Sequence, residues 1–177
     1  MKKIVITGGA GFIGSHIVYF FYKKYKNSII HVIDKLTYAG NLKNIKSLLN
    51  YKRVNFIKSD ICNSKKMKEL LINTDILINA AAESHVDNSF GNSKIFSKTN
   101  ILGTHTLLEA CRINKVKKII HISTDEIYGE IKSGKFDEKA RFNPTNPYSA
   151  SKAAAEMVIK SYISSYKLPI IVLRPNN

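Results

Sequence analysis

The sequence predicts an α/β fold with one doubly wound parallel sheet. Six short apolar runs, rich in Ile and Val, alternate with longer amphipathic stretches along the 177 residues. Runs that are apolar almost throughout are typical of parallel strands covered on both faces. Strand–helix alternation joins such strands by right-handed crossovers. The length fits one ordinary domain with its own core.

The individual elements follow from the spacing of the apolar residues. The predicted strands cover residues 3–7, 29–34, 54–58, 75–80, 118–123 and 170–174. The predicted helices, in which Leu, Ile, Phe and Ala recur three or four positions apart, cover residues 12–25, 41–50, 64–72, 92–114 and 147–166. Ligands of such sheets bind outside the carboxyl ends of the strands, so we expect the functional residues there.

A glycine-rich turn, TGGAGFIGS (7–15), joins the first predicted strand to the first predicted helix. Gly8, Gly11 and Gly14 have the spacing GxxGxxG, a variant of the dinucleotide-binding fingerprint. The first glycine allows the tight turn, the second lets a pyrophosphate approach the backbone, and the third lets helix and strand pack closely. Free amides at the start of the helix favour phosphate. The segment therefore predicts a Rossmann-type dinucleotide site.

Acidic residues follow the second and third predicted strands. Asp34 ends the second strand, twenty residues after Gly14. A carboxylate there can accept hydrogen bonds from ribose hydroxyls and repels a 2′-phosphate, which favours NAD over NADP. Lys35 could partly offset that repulsion. Asp60 and Ile61 could flank the adenine, although a turn or capping role for Asp60 is an equally good interpretation.

Tyr148 and Lys152 lie four residues apart in the segment NPYSASKAAAE (146–156), and therefore on one face of the last predicted helix. The unperturbed pKa of tyrosine, about 10, makes it a poor base at neutral pH. A nearby ammonium and a cationic nicotinamide would both favour the phenolate. We therefore expect Tyr148 to be a catalytic acid–base residue, with surface decoration of the helix as the alternative.

Two adjacent acids, Asp125 and Glu126, follow the fifth predicted strand within STDEIYGE (123–130). We expect a non-helical segment here, in which neighbouring side chains point in different directions. Two carboxyl groups in different environments can differ in pKa and serve as acid and base. A pair of solvated loop acids is the alternative.

Composition and charge argue against several classes of protein. The formal net charge is +15, but only four of the 28 basic residues are arginine and the lysines are scattered, which disfavours a nucleic-acid partner. The charge could still attract an anionic substrate. No apolar run approaches the roughly 18 residues of a membrane span, and the apolar stretch at the start is too short for a signal peptide.

The two cysteines, Cys62 and Cys111, have no metal-ligand spacing and form no CxxC motif. We expect reduced thiols, no metal site and a location in the reducing cytosol.

These motifs together resemble the extended short-chain dehydrogenase/reductases and, within them, the NDP-glucose 4,6-dehydratases. The resemblance covers essentially the whole chain and includes DKLTYAGN (34–41), AAESHVD (81–87), STDEIYG (123–129) and PTNPYSASKAAAE (144–156). The segment HVDNSFGNS (85–93) is more similar to the dehydratase part of eukaryotic rhamnose synthases, which act on UDP-glucose. Bacterial dTDP-glucose enzymes usually have arginine where Asn88 stands. The choice between dTDP and UDP therefore stays open.

The resemblance implies a catalytic role for five residues. Tyr148 would take the proton of the sugar 4-hydroxyl while NAD accepts hydride from C4, and Lys152 would hold the nicotinamide ribose. Glu126 would then remove the C5 proton, and Asp125 would protonate the departing 6-hydroxyl. Thr124 would bond the 4-oxygen. Return of the hydride to C6 gives a 4-keto-6-deoxy sugar, as needed for deoxysugars such as rhamnose.

The resemblance also implies further binding residues. Phe12 and Ile13 would supply amides to the pyrophosphate, and Lys35, Leu36 and Thr37 would shape the adenosine site. The remaining cofactor contacts would come from Ala80, Ala81, Ala82, Glu83, Ser84 and Thr99. Ser84 would also reach the substrate, as would Asn177.

The resemblance places residues 1–177 in the NAD-binding Rossmann domain that carries the catalytic residues, and leaves most of the carboxyl-terminal substrate region outside them. It implies a homodimer built on helices 92–114 and 147–166. The chain is then a dehydratase or the amino-terminal part of one. Another nucleotide-sugar enzyme of the same fold, such as an epimerase or decarboxylase, and a non-catalytic NAD-binding module are the alternatives.

Overall fold

The computed structural model of the protein describes residues 1–131 and 133–176. Its centre is one parallel sheet with the strand order β3-β2-β1-β4-β5-β6, which confirms the predicted doubly wound architecture. The strands are β1 (Lys2–Thr7), β2 (Ser28–Asp34), β3 (Val54–Lys58), β4 (Ile76–Asn79), β5 (Lys118–Ile122) and β6 (Ile170–Leu173). The strand order reverses between β1 and β4, so their carboxyl ends form the switch point at which such sheets bind ligands.

Helices connect the strands on both sides of the sheet. The α-helices are α1 (Phe12–Lys24), α2 (Ser64–Leu70), α3 (Val86–Gly91), α4 (Ser93–Phe96), α5 (Thr104–Ile113) and α6 (Pro147–Tyr166). A π-helix covers Ser97–Gly103, and 3₁₀ helices cover Leu42–Leu48 and Asp125–Tyr128.

Three segments differ from the prediction. The helix expected over 41–50 is a 3₁₀ helix, which begins where the Asn41 side chain accepts a bond from the Lys43 amide. The helix expected over 92–114 begins as α4 and continues through the π-helix into α5, and α3 before it was not predicted. The segment around Asp125 and Glu126, expected to be non-helical, is a single 3₁₀ turn. Apolar spacing cannot distinguish these tighter and wider helices from an α-helix.

Alternate residues of the strands fill two cores, one on each face of the sheet. Val5, Leu77 and Ile119 pack with α2 and α5 on one face. Ile6 and Val32 pack with α1 and the 3₁₀ helix on the other face. Burial on both faces explains why the central strands β1, β2 and β4 are apolar almost throughout, whereas Ile171 and Leu173 of the edge strand β6 are exposed.

The helix α6 has a complete amino-terminal cap. The Asn146 side chain accepts a bond from the Ser149 amide at 2.8 Å, and the Asn146 amide donates to Ser149 Oγ at 3.2 Å. Pro147 occupies the first turn, where a proline is well tolerated. The position of Tyr148 and Lys152 on α6 is therefore well defined.

Cys62 and Cys111 are free thiols, and Cys111 is buried in the core. Within residues 1–131 and 133–176, no helix combines the length and apolar character that crossing a membrane requires. The same part of the chain has no group of three or more His, Cys, Asp or Glu side chains that could hold a metal ion.

Candidate active site

A cleft of about 330 Å³ lies at the carboxyl ends of the central strands. The residues predicted to bind a dinucleotide line it, with the exception of Leu36: Gly8, Gly11, Phe12, Ile13, Gly14, Asp34, Lys35, Thr37, Asp60, Ile61, Ala80, Ala81, Ala82, Glu83, Ser84, Thr99, Tyr148 and Lys152. The Leu36 side chain is excluded because the residue adopts a positive φ of 58° and its amide turns back to Asp34 Oδ1. Asn177 lies outside the described residues.

The glycine turn forms one wall of the cleft through close backbone contacts. Gly8 has a φ of 69°, and a Cβ there would lie 2.6 Å from the Ala80 backbone. A Cβ on Gly14 would lie 2.0 Å from Gly8 O, because the start of α1 packs directly on the turn. The sequence assigned Gly14 to close packing of helix and strand, and the structure places that contact at the turn itself.

We expect Gly14→Ala to lower the free energy of unfolding by about 2 kcal/mol, because the new methyl group forces the turn and α1 apart. Chemical denaturation of the purified chain measures the change. Gly91→Ala is the matched control, since a Cβ at Gly91 meets nothing within 4 Å. Equal stability of the two variants would contradict the packing role of Gly14.

Asp34 connects the glycine turn to the loop after β2. Its Oδ2 accepts a bond from the Ala10 amide and its Oδ1 accepts one from the Leu36 amide, at 2.9 and 2.8 Å. A Cβ on Gly40 would lie 2.6 Å from Asp34 Oδ1, so the absence of a side chain at Gly40 leaves room for this carboxylate. Each carboxylate oxygen retains acceptor capacity toward the cleft.

Lys35 and Asp60 form an ion pair across the cleft, with Lys35 Nζ 2.8 Å from Asp60 Oδ2. Burial acts to raise the pKa of Asp60, but bonds from Lys35 and the Cys62 amide outweigh it and lower this pKa. Lys35 is therefore bonded to Asp60, while Asp34 accepts its bonds from the Ala10 and Leu36 amides. Asp60 is both a turn acid, through the Cys62 amide, and a residue of the cleft.

Two residues that the sequence analysis missed hold the segment after β4. Asn100, in the π-helix, accepts a bond from the Glu83 amide at 2.8 Å and donates to Glu83 O at 3.0 Å. Tyr38 accepts a bond from the Ser84 amide at 3.5 Å. Tyr38 could have been found from the sequence, because it lies within the quoted motif DKLTYAGN. Asn100 could not, because a single polar residue within a helix does not indicate a binding role.

Tyr148 and Lys152 are buried beside the end of β5. Lys152 Nζ donates to Ile122 O at 2.6 Å. Burial lowers the pKa of Lys152 to about 8, against an opposing effect of Glu156. Burial raises the pKa of Tyr148, against a lowering influence of the nearby Thr124 side chain. Burial therefore favours the phenol, whereas the positive charge of a nicotinamide would favour the phenolate.

The acid pair lies at the start of α6, where Glu126 contacts Asn146, and the negative charges of Glu126 and Asp125 contribute to raising the Tyr148 pKa. Thr124 caps their turn: its Oγ1 accepts a bond from the Glu126 amide at 3.2 Å. Successive residues of a 3₁₀ helix are separated by about 120°. The two side chains therefore still point in different directions, although the reason is the helical turn and not an irregular loop.

The same turn is fixed to α6 at both ends. Asn146 Nδ2 donates to Glu126 Oε2 at 3.4 Å. At the other end Tyr128 Oη accepts a bond from Arg174 at 2.6 Å, and Arg174 also pairs with Glu156 of α6 at 2.6 Å. The acid pair is thus held against the helix that carries Tyr148 and Lys152, which brings the five predicted catalytic residues together.

One polar group of the cleft wall is buried without a partner among the described residues. Ser123 Oγ lines the cleft and makes no hydrogen bond there. Lys152 uses one of its three N–H donors on Ile122 O. Buried polar groups normally have partners, so these groups fit a ligand rich in hydroxyls.

Known proteins resemble the chain over nearly its whole length. A family model described as GDP-mannose 4,6 dehydratase matches residues 5–177. The chain is 47% identical over 193 residues to a dTDP-D-glucose 4,6-dehydratase of Dictyostelium discoideum, and the match covers 100% of this chain. It is 46% identical over 182 residues to a trifunctional UDP-glucose 4,6-dehydratase/UDP-4-keto-6-deoxy-D-glucose 3,5-epimerase/UDP-4-keto-L-rhamnose-reductase of Arabidopsis thaliana, covering 99% of this chain.

The fold matches a solved structure of a similar protein. The crystal structure of DesIV, a dTDP-glucose 4,6-dehydratase from Streptomyces venezuelae with NAD and TYD bound, has a TM-score of 0.93 and 38% identity. The match covers 97% of this chain and 55% of that one. The chain spans 44% of the Dictyostelium protein and 27% of the Arabidopsis protein.

Proposed function

Because the chain belongs to the GDP-mannose 4,6 dehydratase family, we propose that it performs the NAD-dependent 4,6-dehydration of a nucleotide-activated glucose. The product is the 4-keto-6-deoxy sugar. dTDP-glucose is the first substrate candidate and UDP-glucose the second. The observation that carries the proposal is the adjacent pair Asp125 and Glu126, held through the contact of Glu126 with Asn146 at the start of the helix that carries Tyr148. An epimerase of the same fold needs the tyrosine but no second acid–base pair.

The residues of the cleft fit NAD. Asp34 retains acceptor capacity for ribose hydroxyls, and the amides at the start of α1 suit the pyrophosphate. Lys152 has N–H donors left for the second ribose, and the unpartnered Ser123 hydroxyl lies in the same wall. The cofactor, when bound, supplies the oxidation at C4 and the later reduction at C6.

Tyr148 takes the proton of the sugar 4-hydroxyl in the first step. Thr124 bonds the same oxygen and holds it near Tyr148. Burial favours the phenol, so the base form depends on neighbouring positive charge. The Lys152 ammonium on the same helix face provides positive charge, and a cationic nicotinamide would add to it.

Glu126 and Asp125 carry out the elimination. The 4-keto group makes the proton at C5 acidic, and Glu126 removes it as the general base. Asp125 gives a proton to the 6-hydroxyl as it leaves. The two groups must hold opposite protonation states, and their different directions from the 3₁₀ turn let each reach a different carbon.

The assignment extends to the organisation of the protein. Residues 1–177 form one NAD-binding domain with the proton-transfer groups, and residues outside them hold most of the nucleotide. The exposed apolar side chains Leu102, Ile113, Met157 and Ile163 on the helical run 97–113 and on α6 support a homodimer through these helices. The free thiols suit the reducing cytosol.

The function is tested by adding dTDP-glucose or UDP-glucose to the protein that carries this chain, with NAD. The 4-keto-6-deoxy product is detected by its absorbance in alkali. Binding of NAD is measured separately by calorimetry on the purified chain. If the product is an epimer or a decarboxylated sugar, the protein is an epimerase or a decarboxylase and the proposed dehydration is wrong. If the protein binds NAD tightly but converts neither sugar nucleotide, the non-catalytic NAD-binding alternative is correct.

We expect Tyr148→Phe to slow the oxidation at C4 by about 100-fold, because the variant has no group to accept the 4-hydroxyl proton. The absorbance of the reduced cofactor in a single turnover reports this step. Tyr166→Phe, at the exposed end of α6, is the control and should match the parent. An unchanged rate of cofactor reduction in Tyr148→Phe would remove Tyr148 from this role.

A further inference from the structure

We propose that Asn146, the N-cap residue of α6, is a positioning residue that aims the Glu126 carboxylate at the sugar. The proposal rests on the function proposed above, in which Glu126 is the base at C5. Its basis is the contact from Asn146 Nδ2 to Glu126 Oε2, at 3.4 Å. Neither the charge nor the spacing of Asn146 marks it as functional in the sequence.

The cap fixes which side of the Asn146 amide faces Glu126. Asn146 Oδ1 accepts the bond from the Ser149 amide at 2.8 Å, which satisfies one of the free amides of the first helical turn. The NH₂ group must then point away from the helix start, and Glu126 lies on that side. An NH₂ group only donates, so it suits the ionised carboxylate that a base requires.

The contact restrains the one part of the turn that the backbone leaves free. The Glu126 amide donates to Thr124 Oγ1, and Tyr128 is held by Arg174. The backbone of the turn is therefore set, while the Glu126 side chain has its own torsions. Engagement of Oε2 by Asn146 limits these torsions and leaves Oε1 for the proton at C5.

The same cap also fixes the base relative to the oxidation site. Tyr148 follows Asn146 by two residues in the first turn of α6. Asn146 thus contacts Glu126 through its side chain and carries Tyr148 through its backbone. The two groups that remove protons from C4–OH and from C5 are located by one residue.

Two substitutions remove the contact and keep the cap. Asp and Ser cap helices about as well as Asn. Asn146→Asp replaces the donor by a second negative charge, and Asn146→Ser is too short to reach Glu126. A loss of function in these variants does not arise from the helix start. Asn146→Ala, which loses both the cap and the contact, measures the cost of the cap.

The contact is tested first by thermal unfolding of the purified chain. We expect Asn146→Asp to lower Tm by about 3 °C in the parent. In the Glu126→Gln background, Asn146→Asp should lower Tm by less than about 1 °C. The amide introduced at position 126 can then donate to the carboxylate introduced at position 146. An equal loss in both backgrounds would show that the two side chains do not interact and would overturn the proposal.

The positioning role is tested on the partial reactions of the protein that carries this chain. We expect Asn146→Ser to slow elimination by about tenfold and to leave C4 oxidation and KM within about twofold of the parent. Equal slowing of both steps, or of neither, would contradict a role directed at Glu126.

The two tests separate this proposal from the function on which it rests. Dehydration by the parent without coupling between Asn146 and Glu126 overturns the positioning role and keeps the function. If Asn146 and Glu126 are coupled in thermal unfolding but the protein forms no 4-keto-6-deoxy sugar, the proposed function is wrong. The contact then has no catalytic role.

Discussion

Glu126→Gln is expected to lower the rate of elimination by about 10³-fold or more, because the amide cannot accept the C5 proton. The amide nearly matches the carboxylate in size and can still contact Asn146, so the turn should keep its shape. Glu126 does not line the dinucleotide cleft, and binding of NAD should therefore be unchanged. Single-turnover mixing should show the cofactor becoming reduced and remaining so.

Glu130→Gln is the matched control for this experiment. Glu130 lies four residues further along the same segment and is exposed, so the control removes the same charge without touching the turn. We expect parental dehydration by this variant. If Glu126→Gln also dehydrates the sugar at the parental rate, another group is the base at C5.

Arg174→Met is expected to lower the free energy of unfolding by about 3–5 kcal/mol, because it leaves the Glu156 carboxylate buried without its partner. The Glu156 side chain is 1% exposed and the Arg174 side chain 16% exposed. Arg174 also donates to Tyr128 Oη and to Glu138 O, so its loss releases the acid-bearing turn as well. Chemical denaturation monitored by circular dichroism measures the difference.

Two further variants test the reason for this loss. In Arg174→Met/Glu156→Met the buried charge is removed together with its partner, and most of the stability should return. Lys66→Met breaks an exposed pair with Glu69 and should cost less than about 1 kcal/mol. A loss in the double variant as large as in Arg174→Met would show that the packing of Arg174, and not the unpaired carboxylate, is responsible.

Much of the sheet and the cleft could be predicted from the sequence. The six strands were recognised because short runs of Ile and Val that alternate with amphipathic stretches are typical of a parallel sheet. The dinucleotide cleft was recognised because Gly8 and Gly14 occupy places where any side chain would collide with backbone. These signals are local and depend on residue type alone.

The contacts that support the site could not be predicted in the same way. Asn100 reaches Glu83, and Arg174 reaches Glu156 and Tyr128, across separations that only the folded chain closes. The π-helix and the 3₁₀ turns share the apolar spacing of α-helices, so their hydrogen-bond pattern is invisible in the sequence. The raised pKa of Tyr148 depends on burial, and the spacing to Lys152 suggested the opposite direction.

Asp125 and Glu126 belong to a turn that borders the cofactor cleft without lining it. Substitution of these two acids therefore removes no side chain from the lining of the cofactor cleft. Under the function proposed above, an engineer can therefore vary the two acids to change the elimination step without redesigning the cofactor cleft.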